Sequence, residues 1–116
     1  SADFGIRVVG PGDIRAQMVK ALQSVDDVLE AAGMGRENVV HLHFFTTDPD
    51  GFLTNYDVDA EWIAPADITP PQSLIGVQRL ALPDLLVEIE ATASAGAVTG
   101  LAVGPRHGLP RSAARC

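Results

Sequence analysis

Cysteine is almost absent from this chain of 116 residues; the single one, Cys116, is the last residue. No disulfide can form within the chain, which suits a reducing compartment. Long hydrophobic runs are missing too. No apolar stretch approaches the roughly 20 residues of a membrane-spanning helix, and the residues from Ser1 onward lack the pattern of a secretory leader. These absences predict a cytoplasmic protein with no membrane partner. Basic residues are few: eight Lys and Arg stand against fifteen Asp and Glu, a net charge of −7. A chain of that sign repels phosphate backbones, so no nucleic-acid partner is expected. Neither an internal repeat nor a glycine-rich phosphate loop occurs.

What is there is a globular composition. Hydrophobic residues make up 47% and charged residues 20%, too apolar for a disordered chain. The length fits one domain with a modest core. From Ala95 to Cys116 the only charged residues are Arg106, Arg111 and Arg115, among Gly, Ala, Pro and Ser. The expected division is therefore a domain over residues 1–93 and a flexible tail over 94–116.

Periodicity predicts the elements. Ile6, Val8 and Val9 suggest a short strand or turn before Gly12. Pro11-Gly12-Asp13 then opens a helix, with Asp13 able to accept from free backbone N–H groups. Ile14, Met18, Leu22, Val25, Leu29 and Ala32 step by three and four, widened by Ala21 and Val28, and Gly33 supplies the left-handed stop. Residues 38–47 read as a strand, with Val40, Leu42, Phe44 and Thr46 on one face and Val39, His41, His43, Phe45 and Thr47 on the other. Asp48-Pro49-Asp50-Gly51 is a turn signal. A second helix is predicted from Phe52 to Ile63, with Phe52, Tyr56, Ala60 and Ile63 in register and Pro65 ending it. Strands at Ser73–Leu80 and Leu85–Ala93 follow, linked around Pro83-Asp84. This order predicts an α+β layer fold, two helices packed on one face of a mixed sheet. The uncovered sheet face favours a homo-oligomer.

The chemical candidates are sparse. His41 and His43 share a strand face, but no third metal ligand stands at a telling spacing, so they read as surface or interface residues and no metal is expected. Glu88 and Glu90 also share a face. Such a pair either faces water or holds one carboxyl in a cleft for acid–base work. Arg79 could pair with either across adjacent strands. Ser73 has no His/Asp partner nearby in sequence and is not read as a nucleophile. Cys116 reads as an incidental thiol.

Several stretches, in order, carry a resemblance. Val9 to Gln17 resembles the approach to a family's first helix, and Val28-Leu29-Glu30-Ala31-Ala32-Gly33 its end. Pro70-Pro71-Gln72-Ser73 matches a P-A-R-S turn, Val77-Gln78-Arg79-Leu80 a V-A-R-L segment, and Val87-Glu88-Ile89-Glu90-Ala91 a closing V-E-I-E-A strand. Over about Gly10 to Ala93 the chain is similar to the RidA/YjgF family of reactive-intermediate deaminases, also called endoribonuclease L-PSP. That resemblance implies a chorismate-mutase-like α+β fold, a homotrimer with clefts between subunits, and hydrolysis of enamine or imine metabolites to ketoacids and ammonia. It implies no metal and no organic cofactor.

Carried over by position, Glu88 is the acid/base that guides water. The arginine that holds a substrate carboxylate in the family is Gln72 here, which offers only neutral hydrogen bonds. Gln72 would orient substrate or water, and the main chain of Ser73 and Leu74 would hold an oxygen. Tyr56 and Asp59 fall where the family commonly carries asparagine and tyrosine. The family's N-terminal hairpin has no match, so the chain reads as N-terminally shortened. Two functions stay open on this reading: an enamine/imine hydrolase, or a non-catalytic trimer of the same fold that binds a small ligand. An RNase role is disfavoured by the net charge.

Overall fold

In the computed structural model the described residues are 8–95 and the strand at 100–103. Helix α1 runs over Ile14–Ala31. Its start follows from local chemistry. Asp13 accepts from the Ala16 N–H at 3.0 Å, capping one of the free donors of the first turn. Its end follows from Gly33, whose φ of +74° favours a residue without Cβ. The buried stripe is Ile14, Gln17, Met18, Ala21, Leu22, Val25 and Leu29, with Val28 and Ala32 packed beside it. The stripe expected from spacing is thus the core face, with one addition, Gln17.

Strand β1 covers Val39–Thr46. Leu42, Phe44 and Thr46 face the helices as expected, but Val39 is buried and Val40 exposed. The register against the neighbouring strand shifts between Val39 and His41. A bulge there adds a residue and reverses the alternation before it, which corrects the face predicted for these two valines.

The single helix expected over Phe52–Ile63 is two helices. Asp48 accepts from the Gly51 N–H at 3.0 Å and Pro49 occupies the first turn, so the turn signal starts helix α2, Pro49–Thr54. Asn55 ends it by donating its side-chain amide to the Gly51 carbonyl at 2.9 Å. Helix α3 restarts at Asp57 and runs to Ile63. The break changes the register: α3 buries Val58, Asp59 and Trp62, while Tyr56, expected in the core stripe, is 42% exposed.

Strand β2 spans Gln72–Gly76, shorter than predicted, and pairs in parallel with β1. Strand β3 spans Val87–Ser94 and pairs antiparallel with the other side of β1. Strand β4, Gly100–Val103, adds antiparallel to β3 within the segment read as a tail; residues 96–99 and 104–116 lie outside the described residues. The sheet order is β2-β1-β3-β4. β1 separates β2 from β3 and Arg79 follows the end of β2, so Arg79 is not on a strand adjacent to Glu88 and Glu90, the arrangement in which it could have paired with either.

The fold is the α+β, chorismate-mutase-like mixed sheet that was expected, with its helices on one face. Between the two layers Phe44 packs on Phe52 with ring centroids 4.8 Å apart. Val87, Ile89 and Ala91 fill the same layer from β3. No described helix is long and apolar enough to cross a membrane.

Candidate functional site

The two faces of β2 lead to two different places. Gln72 pairs with Leu42, a core residue, so its side chain is on the helix side; Ser73 pairs with His43 and is on the open side. Glu88 pairs with Phe45 and is also on the open side. Gln72 and Glu88 therefore stand on opposite faces of one sheet, with β1 between their strands. Within a single chain the structure does not bring together the two residues singled out from sequence.

On the helix side Gln72 meets the α2–α3 turn. Its Nε2 donates to the Tyr56 hydroxyl at 3.3 Å. Beside them is Asp59 of α3, fully buried at 0% exposure. Neither carboxylate oxygen of Asp59 has a donor within hydrogen-bond distance, and the buried Oε1 of Gln72 has none either. Burial pushes the Asp59 pKa up to about 6; hydrogen bonding from the Gln72 and Tyr56 side chains, both outside ordinary hydrogen-bond geometry, lowers it again only in part. Leu74 lies on this side too, at the sheet edge.

Two ion pairs hold α3 in place. Arg15 of α1 donates to both oxygens of Asp57 at 3.0 and 2.8 Å, and its guanidinium keeps that carboxyl below its ordinary pKa. Arg36 grips Asp26 through two 2.8 Å contacts, donates to the Trp62 carbonyl at 2.8 Å, and stacks 4.8 Å from the Trp62 ring. Trp62 in turn donates to Asp26 at 3.2 Å.

The open face carries a different set. Phe45 is flanked across the sheet by Glu88 and Ile75; His43 is flanked by Glu90 and Ser73. The His41 and His43 rings lie 4.2 Å apart, and Ser73 Oγ is 3.5 Å from His41 Nε2, at the outer limit of a hydrogen bond. No group of three His, Cys, Asp or Glu side chains among the described residues is placed to hold a metal. At the edge, the Pro71 carbonyl accepts from Leu42 and the Val77 N–H donates to Thr46. By alternation, the main chain of Ser73 is directed at β1 and that of Leu74 at the free edge. Of the two main-chain groups expected to hold an oxygen, only that of Leu74 is turned away from β1.

The sequence pointed to Asp59 only as a position in the resemblance. An acid in the first turn of a helix ordinarily complements the helix dipole in solvent, and nothing in the local pattern marks this one as buried.

The model of the family described as endoribonuclease L-PSP matches residues 3–95. The chain belongs to this family, the RidA/YjgF family. It is 30% identical over 79 residues to a RutC family protein of Aquifex aeolicus, and 33% identical over 82 residues to one of Pyrococcus horikoshii. Those matches cover 68% and 71% of this chain but 62% and 63% of the relatives, so the chain spans a little under two thirds of their length. Among solved structures, a YjgF/YER057c/UK114 family member from Mycobacterium tuberculosis is 34% identical with a TM-score of 0.67, covering 73% of this chain and 70% of that one. E. coli TdcF, solved with bound serine, is 30% identical with a TM-score of 0.67, covering 74% and 68%.

Proposed function

We propose that this chain is a cofactor-independent hydrolase of small enamines or imines, working at clefts between the subunits of a homotrimer. The observation that carries the reading is the place of Glu88. Its half-buried side chain is on the sheet face that no described helix covers, beside Phe45 and across from the exposed Ile75. A second copy docked there would surround the carboxyl with apolar side chains and exclude water from all but the reacting position. The similarity to TdcF, a protein solved with serine, supports a small amino-acid-like ligand.

The chemistry balances with one carboxyl group. The substrate enters as the iminium tautomer of the enamine. The Glu88 carboxylate takes a proton from water as the water oxygen adds to the C=N carbon, giving a neutral carbinolamine. Glu88 returns that proton to the nitrogen, the C–N bond breaks with its electron pair going to the leaving ammonia, and the hydroxyl proton released as the C=O bond forms leaves with it as ammonium. Iminium and water become ketone and ammonium, and Glu88 is again a carboxylate. Gln72, Tyr56, Ser73 and the Leu74 main chain would hold the rest of the substrate. Ser73 shares the Glu88 face, whereas Gln72 and Tyr56 would enter a cleft from the other face of a copy.

The neutral Gln72, tied to Tyr56, favours a second reading, a trimer that binds its ligand without turnover. Ammonia release from freshly generated 2-aminoacrylate separates the two. The hydrolase reading expects release above the protein-free rate and its loss in Glu88→Gln. Absent release, or a rate untouched by that substitution, sinks it. The trimer itself is checked by sedimentation.

A further inference from the structure

Three acceptor oxygens are buried without a partner at ordinary hydrogen-bond geometry, Oδ1 and Oδ2 of Asp59 and Oε1 of Gln72; the neutral Gln72 and Tyr56 side chains act on Asp59 only as weak donors. Burying one acceptor unpaired costs free energy, and burying a carboxylate unpaired costs far more. Among the described residues no basic side chain compensates. Arg15 is committed to Asp57 and Asn55, Arg36 to Asp26 and Trp62, and no cation contributes to the electrostatics of Asp59. An ammonium group presents three N–H donors and a positive charge, which matches three acceptors of which two share a negative charge.

We propose that Asp59, Gln72 and Tyr56 form a recognition site for a primary ammonium group, so that this chain anchors its substrate through a cationic nitrogen and not through a carboxylate. The proposal rests on the preceding reading in taking Gln72 as a residue that faces substrate, and deepens it by naming the substrate class. Tyr56 and Gln72 close the site from the solvent side. Their hydrogen bond is long, at 3.3 Å, and Tyr56 is exposed, so the pair can part at low cost to admit a ligand. Once admitted, the ammonium replaces the Tyr56–Gln72 contact with charge-assisted bonds to Asp59. The neighbouring titratable groups are Tyr56, Asp57, which Arg15 holds ionised, and Glu61 on the same helix.

The test is an NMR titration of the full chain with n-propylammonium chloride against sodium propionate at matched ionic strength. Saturable shifts centred on Asp59, Tyr56 and Gln72 are expected with the amine and not with propionate. Because Asp59 must lose its proton to pair with a cation, affinity should fall about tenfold between pH 7 and pH 5, and this dependence should vanish in Asp59→Asn together with most of the binding. Gln72→Arg should abolish amine binding by pairing with Asp59 internally. Preference for propionate, no saturable shift, or amine binding unchanged in both variants overturns the proposal. The titration needs no turnover, so amine binding without ammonia release would remove the hydrolase reading alone, and release without amine binding would remove this one alone.

Discussion

The side-chain carbonyl of Gln17, on α1, accepts from the main-chain N–H of Leu86 at 2.8 Å. The same side chain donates to the carbonyls of Gly10 at 3.1 Å and Asp84 at 2.9 Å. One buried amide therefore ties the approach to α1, the helix itself and the loop that leads into β3. It fixes Leu86, the residue just before the strand that carries Glu88.

Gln17→Leu keeps an apolar fit but leaves three main-chain groups unpaired. A loss of about 2–4 kcal/mol is expected from the net worth of the bonds and the cost of orphaned partners. Urea unfolding measures it; a loss below about 1 kcal/mol would show that water takes over these partners.

Asp59 makes stability depend on pH. Its pKa is raised from 3.8 to about 6 in the folded chain, so between those values the folded state holds a proton that the unfolded state has released. The contribution is full below about pH 3.8 and is lost as pH rises through about 6, on the order of 3 kcal/mol in all. Urea midpoints at pH 4.5 and 7.5 should show this fall after other carboxyls are accounted for. Asp59→Asn should remove it and be more stable than the native chain at pH 7.5.

Arg36→Ala should cost about 1–2 kcal/mol, since it removes a two-pronged pair, a carbonyl contact and a ring stack together. Arg36→Lys should recover little of this, because an ammonium cannot span both Asp26 oxygens and the Trp62 carbonyl. Trp62 is the one tryptophan of the chain, so its fluorescence reports the change directly. Arg15→Ala removes an exposed pair and should have a small effect that salt diminishes further.

Two glycines should respond differently to alanine. Gly33, with open space around a built Cβ, should cost about 1 kcal/mol through its positive φ alone. Gly10 has a positive φ as well, and a Cβ there would come within 2.8 Å of the Ala16 Cβ. Gly10→Ala should therefore exceed Gly33→Ala clearly in thermal unfolding.

The parts of the fold legible in sequence are those where one local rule decides. The α1 stripe follows from helical spacing, and Asp13 and Gly33 mark its ends because caps are local chemistry. Alternation in β3 puts Glu88 and Glu90 together on one face, and the other face, Val87, Ile89 and Ala91, is the core side. The rest depends on tertiary context. Nothing in Val39-Val40 announces the bulge, which exists only in the pairing with β3. The division of the second helix depends on which carbonyl the Asn55 amide finds. Alternation says which residues of one strand share a face, but not how the faces of two strands correspond. The separation of Gln72 from Glu88 could not be read for that reason. Asp59 was hidden by the same gap, since burial of a first-turn acid depends on what packs over it.

The central place of β1 also governs how this chain folds. Its partners come much later in sequence, Leu42 with Gln72 on one edge and Val39 with Ala93 on the other, whereas β3 and β4 are near neighbours. Closing such distant pairs spends loop entropy before any contact rewards it. The sheet therefore cannot be nucleated by β1 alone. The chain should fold at the slow end of small mixed domains, with α1 formed early and β1 waiting, apolar and unpaired, until β3 has been made.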